Sequence, residues 1–151
     1  MAEEAGHEHR IVVGVDGSVP SMEALTWAVR QAELTGAVVE AVIAWDFPMY
    51  YGYAAPAIDV DWDGIATQVV TKAIAEVAAR SLATAVIRPK VVQGNAAEVL
   101  LQAAAGADLL VVGSRGHGGF VEALLGSVGQ HAVHHAKCPV VVIRDSVASR
   151  R

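Results

Sequence analysis

The chain has 151 residues, of which 54% are hydrophobic and 18% are charged, and its formal net charge is −5 at pH 7. This length suits one domain with a full hydrophobic core and is too short for two. The acidic balance, without a basic stripe that neutralises phosphates, argues against a general nucleic-acid binder.

Two further features concern the environment of the protein. Its longest apolar runs have the length of a strand, below the roughly 18 residues of a membrane span, and the polar residues 2–10 do not resemble a signal peptide. The single cysteine, Cys138, has no partner for an internal disulfide and is expected to act as a small buried hydrophobe. We therefore expect a protein of the reducing cytoplasm without a membrane segment.

The N-terminal part of the chain predicts half of a βαβ unit. Residues 1–9 are expected to be a disordered tail, and residues 10–15 (RIVVGV) form a β-branched strand. The turn 16–18 follows, and its serine is suited to cap a helix that carries Pro20 in its first turn and ends at Gly36.

The middle of the chain predicts a strand at residues 37–45 and a helix at residues 64–82. The long segment between them, residues 46–63, is rich in aromatic and acidic side chains, which suit either a lid over a bound base or a patch for a partner. The apolar face of the helix is predicted to consist of Ile65, Val69, Ile74 and Val77.

The third strand and the next helix have clear local signals. The strand, residues 84–92, contains Pro89, which lacks an N–H for a ladder hydrogen bond and therefore predicts a position at the edge of the sheet. The helix opens with a capping-box pattern, Asn95 and Glu98, and ends at Gly106.

The C-terminal part adds two strands, at residues 109–112 and 139–143, on either side of a glycine-rich loop and a helix. Five strands that alternate with four helices predict an α/β domain: a parallel, doubly wound (Rossmann-like) sheet with helices on both faces. If the third strand lies at an edge, the strand order is 3-2-1-4-5. We assign this domain to residues 10–145 and a tail to residues 146–151.

The loop after the fourth strand has the features of a phosphate site. Its glycines at positions 113, 116, 118 and 119 let successive N–H groups converge on an anion. The following helix directs its free N–H groups to the same place, and Ser127 with Gln130 predicts a capping box there. Arg115 adds a cation that suits phosphate oxygens. Such loops are also common connectors, so this pattern alone does not show whether the loop binds phosphate.

Asp16 lies just after the first strand, at the sheet edge where open α/β sheets bind ligands. Its carboxylate is suited either to face a ligand or merely to cap the turn, and the local sequence does not separate these alternatives. The chain has no G-x-G-x-x-G and no G-x-x-x-x-G-K-[ST] pattern, so neither a dinucleotide fingerprint nor a Walker-type NTPase is supported.

Metal sites are not favoured by the clusters of possible ligands. The histidines of the last helix lack the glutamate of an H-E-x-x-H site and are interpreted as polar cover near a subunit contact, and the histidines of the tail and the aspartates of the long loop are expected to be solvated. These residues are His7, His9, Asp59, Asp61, Asp63, His131, His134 and His135.

Gly113-x-x-Gly116, nine residues and then Gly126-Ser127 resembles the nucleotide-binding signature of the universal stress protein family, in its ATP-binding branch. The run from Val15 to Ser18 resembles the start of that family, and the likeness covers residues 10–144. It implies ATP across the crevice between strands one and four. The site residues that it implies are Gly14, Asp16, Ala44, Val92, Gly113, Ser114, Arg115, Gly116, His117, Gly118, Gly119, Gly126, Ser127 and Val128.

Within this resemblance each part of the site has a role. Asp16 would contact the nucleoside, and Ala44 and Val92 would flank the adenine, although the family commonly has a bulkier residue at the position of Ala44. The glycine loop and the start of the last helix would hold ribose and phosphates, with Mg²⁺ held by the phosphates. Family members commonly dimerise through their last strands, so we expect a homodimer through residues 139–143, which also covers an apolar edge.

Three functions follow as hypotheses. The leading one is an ATP-binding regulatory or stress-response module with an unidentified protein partner, with cyclic AMP as the rival ligand. The second is a slow ATPase or phosphoryl-transfer enzyme, for which the loop offers Arg115 and His117 but neither a Walker lysine nor an evident base. The third is a protein that keeps the fold and uses only its surface.

Overall fold

The computed structural model describes residues 8–47, 60–80, 84–114 and 126–144. In these ranges five strands alternate with four helices. The strands are β1 (Arg10–Gly14), β2 (Val38–Trp45), β3 (Ile87–Gln93), β4 (Leu109–Gly113) and β5 (Val140–Ile143). The helices are α1 (Val19–Thr35), α2 (Trp62–Arg80), α3 (Ala96–Ala103) and α4 (Ser127–His135). No helix in the described ranges is long and apolar enough to cross a membrane.

The strands form one sheet in the order β3-β2-β1-β4-β5, and every neighbouring pair is parallel. The predicted fold class and strand order are confirmed. The order changes direction between β1 and β4, and the helices that follow these strands, α1 and α4, pack on opposite faces of the sheet. In open α/β sheets the crevice that binds ligands lies outside the carboxyl ends of the strands at such a switch point.

Pro89 lies on the edge strand β3, as predicted, and the hydrogen bonds explain why the sheet tolerates it. The carbonyl of Val86 accepts from the N–H of Val39 at 2.9 Å, and the N–H of Gly94 donates to the carbonyl of Trp45 at 2.8 Å. Because backbone groups alternate in direction along a strand, even-numbered residues of β3 face β2 and Pro89 faces away. Its missing N–H therefore breaks no ladder hydrogen bond.

A hydrophobic cluster covers each face of the sheet. Helices α1 and α2 pack on one face, and α3 and α4 pack on the other. The side chains at the centre of the first cluster include Val13, Leu25, Val29, Val39 and Val70. Those at the centre of the second include Val12, Val42, Leu100, Leu110 and Ala132. The alternation of side chains along each strand divides the core in this way.

Helix α2 meets the sheet with a face that only partly matches the predicted one: Val77 is buried and Val69 and Ile74 pack against the first cluster half-buried. Its buried residues are Ala66, Val70, Ala73 and Val77, whereas Ile65 is 48% exposed. The prediction gave weight to the bulkiest side chains, but the helix meets the sheet through alanine and valine, which allow close approach. Of the predicted face, only Val77 is fully buried.

Two of the three predicted N-terminal helix caps are present. The Ser18 hydroxyl accepts from the N–H of Ser21 at 3.4 Å, and the Asn95 side chain accepts from the N–H of Glu98 at 3.2 Å. The predicted cap at Ser127 is wrong, because Gly126 occupies the N-cap position of α4 and Ser127 is already helical.

Arg10 lies at the amino-terminal end of β1, opposite the carboxyl edge of the sheet, and joins this end of the sheet to α3. Its guanidinium donates to the carbonyls of Ala103 at 2.7 Å and Ala105 at 2.9 Å, at the end of α3, and lies 3.5 Å from the Glu40 carboxylate. Just before it, the His9 ring lies 2.8 Å from the Asp108 carboxylate. Of the predicted tails, residues 1–7 and 146–151 lie outside the described ranges and remain predictions. Residues 8 and 9 are described, and Glu8 lies 2.9 Å from the Arg88 guanidinium.

Candidate functional site

Nine of the fourteen predicted site residues lie in the described ranges, all where strands of the sheet end or where α4 begins. They are Gly14, Asp16, Ala44, Val92, Gly113, Ser114, Gly126, Ser127 and Val128. Arg115, Gly116, His117, Gly118 and Gly119 lie outside these ranges and remain predictions. The parallel strands bring the described residues to one edge of the sheet, although they are far apart in the sequence.

Ala44 and Val92 lie side by side at this edge. They are register partners on β2 and β3, and both half-buried side chains pack against the cluster on the α3/α4 face. Val128, in the first turn of α4, packs against the same cluster. The two residues that the sequence predicts to flank the base thus form a continuous apolar surface on one face of the sheet.

The turn after β1 holds Asp16 through two hydrogen bonds. Its carboxylate accepts from the N–H of Ser18 at 2.9 Å, so it does cap the turn. The N–H of Asp16 donates to the Ser21 hydroxyl at 3.2 Å, and Gly17 adopts the left-handed region with φ 84°. A carboxylate has about four lone-pair positions, so capping the turn and contacting a ligand are compatible roles.

At two glycines, Gly113 and Gly14, the end of a strand lies very close to a helix. A Cβ at Gly113 would lie 2.8 Å from the carbonyl carbon of Pro20, at the start of α1. A Cβ at Gly14 would lie 2.8 Å from a terminal methyl of Leu100 in α3. The ends of β1 and β4 therefore pack tightly against the helices that border the crevice.

The start of helix α4 lies next to the end of β4 in space. The N–H of Gly126 donates to the carbonyl of Ser114 at 2.7 Å, and Ser114, itself buried, donates its N–H to the carbonyl of Ile143 at 2.8 Å. Within the described part of the chain, the N–H groups of residues 127–129 make no hydrogen bond. These groups and the positive end of the helix dipole suit an anion.

The likeness to known proteins decides the family. The model of the universal stress protein family matches residues 8–144. The chain belongs to this family. Over 140 residues it is 36% identical to the universal stress protein Rv2623 of Mycobacterium tuberculosis (strain ATCC 25618 / H37Rv), which covers 91% of this chain and 46% of that protein. The chain spans about half the length of the curated relatives it matches.

Solved structures of universal stress proteins share the fold. UspA from Lactobacillus plantarum superposes with a TM-score of 0.72 at 25% identity, over 92% of this chain and 99% of that one. A universal stress protein solved in complex with cAMP superposes with a TM-score of 0.69 at 26% identity, over 93% of this chain and 100% of that one. The family predicted from the glycine signature is thus confirmed.

Four of the possible metal ligands have other partners, among them His9, which lies beside Asp108. The His131 ring lies 3.1 Å from the carbonyl of Ser127, one turn earlier in α4. Exposed Asp61 accepts from the N–H of Gly64 at 2.9 Å, and exposed Asp63 accepts from the indole N–H of Trp45 at 3.2 Å. In the described ranges, no three His, Cys, Asp or Glu side chains are grouped to hold a metal. His7 and Asp59 lie outside these ranges.

Cys138 is half-buried against the α3/α4 cluster, which agrees with its predicted role as a small apolar side chain. Burial raises the pKa of its thiol above the ordinary value, despite the lowering effects of a backbone hydrogen bond and of Arg10. The raised pKa reduces the fraction of reactive thiolate at neutral pH.

The sequence analysis missed Pro20 and Ser21 as residues of the site. Pro20 was interpreted only as a helix-start signal, whereas it also packs against Gly113. Ser21 occupies the third position of α1, where a capping box places a side chain that accepts hydrogen bonds. The S-x-x-S spacing from Ser18 was the available signal.

Proposed function

We propose that the chain is a nucleotide-binding regulatory module that binds ATP in the crevice between β1 and β4. The observation that carries this proposal is the convergence at one sheet edge of an apolar pair, Ala44 and Val92, a carboxylate, Asp16, and the open N-terminus of α4. An adenine base, a ribose and phosphates need these three kinds of group.

In this proposal each group contacts one part of ATP. The base packs against Ala44 and Val92, and Asp16 contacts the nucleoside. The glycine loop and residues 126–128 hold the phosphates, and oxygen atoms of the phosphates are the ligands for Mg²⁺. Support for an adenine nucleotide also comes from the related structure solved in complex with cAMP.

That related complex makes cyclic AMP the second candidate ligand. Both nucleotides share the base and the ribose, so the apolar pair and Asp16 suit either one. They differ in charge and in the number of phosphates. Added Mg²⁺ should strengthen the binding of ATP, whose phosphates chelate the ion, and should leave the binding of cyclic AMP unchanged.

The test is the nucleotide that freshly purified protein releases on denaturation, identified by mass and counted per chain, followed by titrations with ATP and cyclic AMP with and without Mg²⁺. Intact ATP near one per chain supports the proposal, and ADP points to slow hydrolysis. Tight binding of cyclic AMP alone would assign the second ligand. Neither release nor uptake of any nucleotide would overturn the site.

We further propose a homodimer through β5, because the two edges of the sheet differ. The outer edge of β3 carries Pro89 together with the exposed charges Arg88 and Lys90, which discourage strand pairing. Strand β5 contains only valine and isoleucine. The carbonyls of Pro139 and Ile143 face β4, so by alternation the backbone groups of Val140 and Val142 face outwards. They are available to a second copy.

A further inference from the structure

Ser21 is one of two buried polar residues in the described ranges, with 5% of its surface exposed. It lies in the first turn of α1, and its side chain points back into the turn that carries Asp16 rather than along the helix. A buried hydroxyl is costly unless its hydrogen bonds are made, so its partners indicate what it does.

The Ser21 hydroxyl joins both ends of this turn. It accepts from the N–H of Asp16 at 3.2 Å and donates to the carbonyl of Ser18 at 3.0 Å. From the other side, the N–H of Ser18 donates to the Asp16 carboxylate at 2.9 Å. Both the backbone and the side chain of Asp16 are thereby fixed relative to the start of α1.

The bond from Asp16 is not one of the hydrogen bonds of the helix itself. Ser18 caps α1 with its own hydroxyl, and the N–H of Asp16 lies in the turn before the helix begins. Thr26 provides a comparison on the same helix, because its hydroxyl donates only to the carbonyl of Met22, at 2.9 Å. Both residues bond to the preceding turn of the chain, but only Ser21 reaches a residue of the proposed site.

We propose that Ser21 is a positioning residue that orients Asp16 toward the nucleoside and thereby sets the affinity for the nucleoside part of the ligand. This inference depends on the proposed nucleotide site. Without the hydroxyl, the hydrogen bond from the N–H of Asp16 to Ser21 is lost and the turn gains freedom, so Asp16 must be ordered again when the ligand binds. The phosphate-binding groups at α4 lie on another segment and are unaffected.

The test compares Ser21→Ala with the matched control Thr26→Ala. The probes are Mg²⁺-ATP, titrated directly, and inorganic tripolyphosphate, measured by its displacement of bound nucleotide. We expect Ser21→Ala to weaken ATP binding about tenfold, the loss expected for one hydrogen bond that organises a site, and to change tripolyphosphate affinity less than about twofold. Thr26→Ala should change neither affinity by more than about twofold, because its hydroxyl bonds only within α1.

Three results would overturn the inference. Unchanged ATP affinity in Ser21→Ala excludes a positioning role, and an equal loss for ATP and tripolyphosphate shows a merely structural one. If wild-type protein binds no nucleotide, the proposed site itself is wrong. This result is distinguishable from a wrong role for Ser21 because it is seen before any substitution is made. If Ser21→Ala does not fold, Ser21→Cys, of similar shape but with weak hydrogen bonding, serves for the same comparison.

Discussion

The backbone of Gly113 lies directly against that of Pro20, so that a Cβ at position 113 would lie 2.8 Å from the Pro20 carbonyl carbon and 2.9 Å from its oxygen. This contact joins the end of β4 to the start of α1. The two segments that border the proposed nucleotide crevice are therefore held at a fixed separation by main-chain atoms, which do not move aside as the end of a side chain does.

Gly113→Ala is therefore expected to destabilise the protein by roughly 1–3 kcal/mol, the usual range for overpacking. Gly14→Ala is the matched control, because its Cβ would meet a terminal methyl of Leu100, which is able to rotate. We expect the smaller loss for Gly14→Ala. Urea denaturation measures both free energies of unfolding, and equal losses would show that the backbone contact is not the constraint.

Val92→Ala should weaken adenine nucleotide binding about fivefold, since removing two methyl groups from an apolar contact costs about 1 kcal/mol. The control is Val91→Ala on the same strand, whose side chain packs on the opposite face, against the α1/α2 cluster. Val91→Ala should leave nucleotide affinity unchanged and should lower the free energy of unfolding by about as much as Val92→Ala does. Titration calorimetry with ATP checks both variants, and an equal loss of affinity would place the base elsewhere.

Arg10→Met should destabilise the fold by about 1.5–3 kcal/mol, because the guanidinium makes charge-assisted hydrogen bonds to two carbonyls at the end of α3. Arg88→Met removes an exposed ion pair with Glu8, at 2.9 Å, and should cost less than about 1 kcal/mol. Both are measured by urea denaturation. If Arg88→Met proved the more damaging, the capping role of Arg10 would be wrong.

The sequence predicted the elements and their order because each has a local signal. Pro89 predicted the edge strand, and Ser18 and Asn95 predicted two helix starts, since caps and proline act within a few residues. The first residue of α4 was missed because the N–H of Gly126 bonds to Ser114, twelve positions earlier. Ala66, Val70 and Ala73 were missed as buried residues of α2 because the centre of its buried face depends on the sheet surface that the helix meets.

The site was predictable only where it has a local sequence signal. The glycine signature identified the family, and the resemblance to that family named Ala44 and Val92, which the structure places side by side as register partners. Their contact with a base stays a prediction. The part played by Ser21 depends on a hydroxyl that reaches back to the N–H of Asp16. Local sequence shows that a serine is present at this position but does not show which way its side chain points.

Val142→Pro tests the proposed dimer with little disturbance of the subunit. The backbone groups of Val142 face away from β4, so proline there removes an outward N–H and leaves the β4 to β5 ladder intact. We expect this variant to be a folded monomer. Val142→Ala, which loses side-chain packing but keeps the N–H, should remain a dimer.

Sedimentation at several protein concentrations gives the association state of both variants, and circular dichroism shows whether each subunit is folded. The wild-type protein must sediment as a dimer, since a monomeric wild type would contradict the proposal outright. A dimer that survives Val142→Pro would also reject pairing through β5, because a second strand at that edge needs the N–H that proline lacks. The dimer contact would then have to lie on another surface of the subunit.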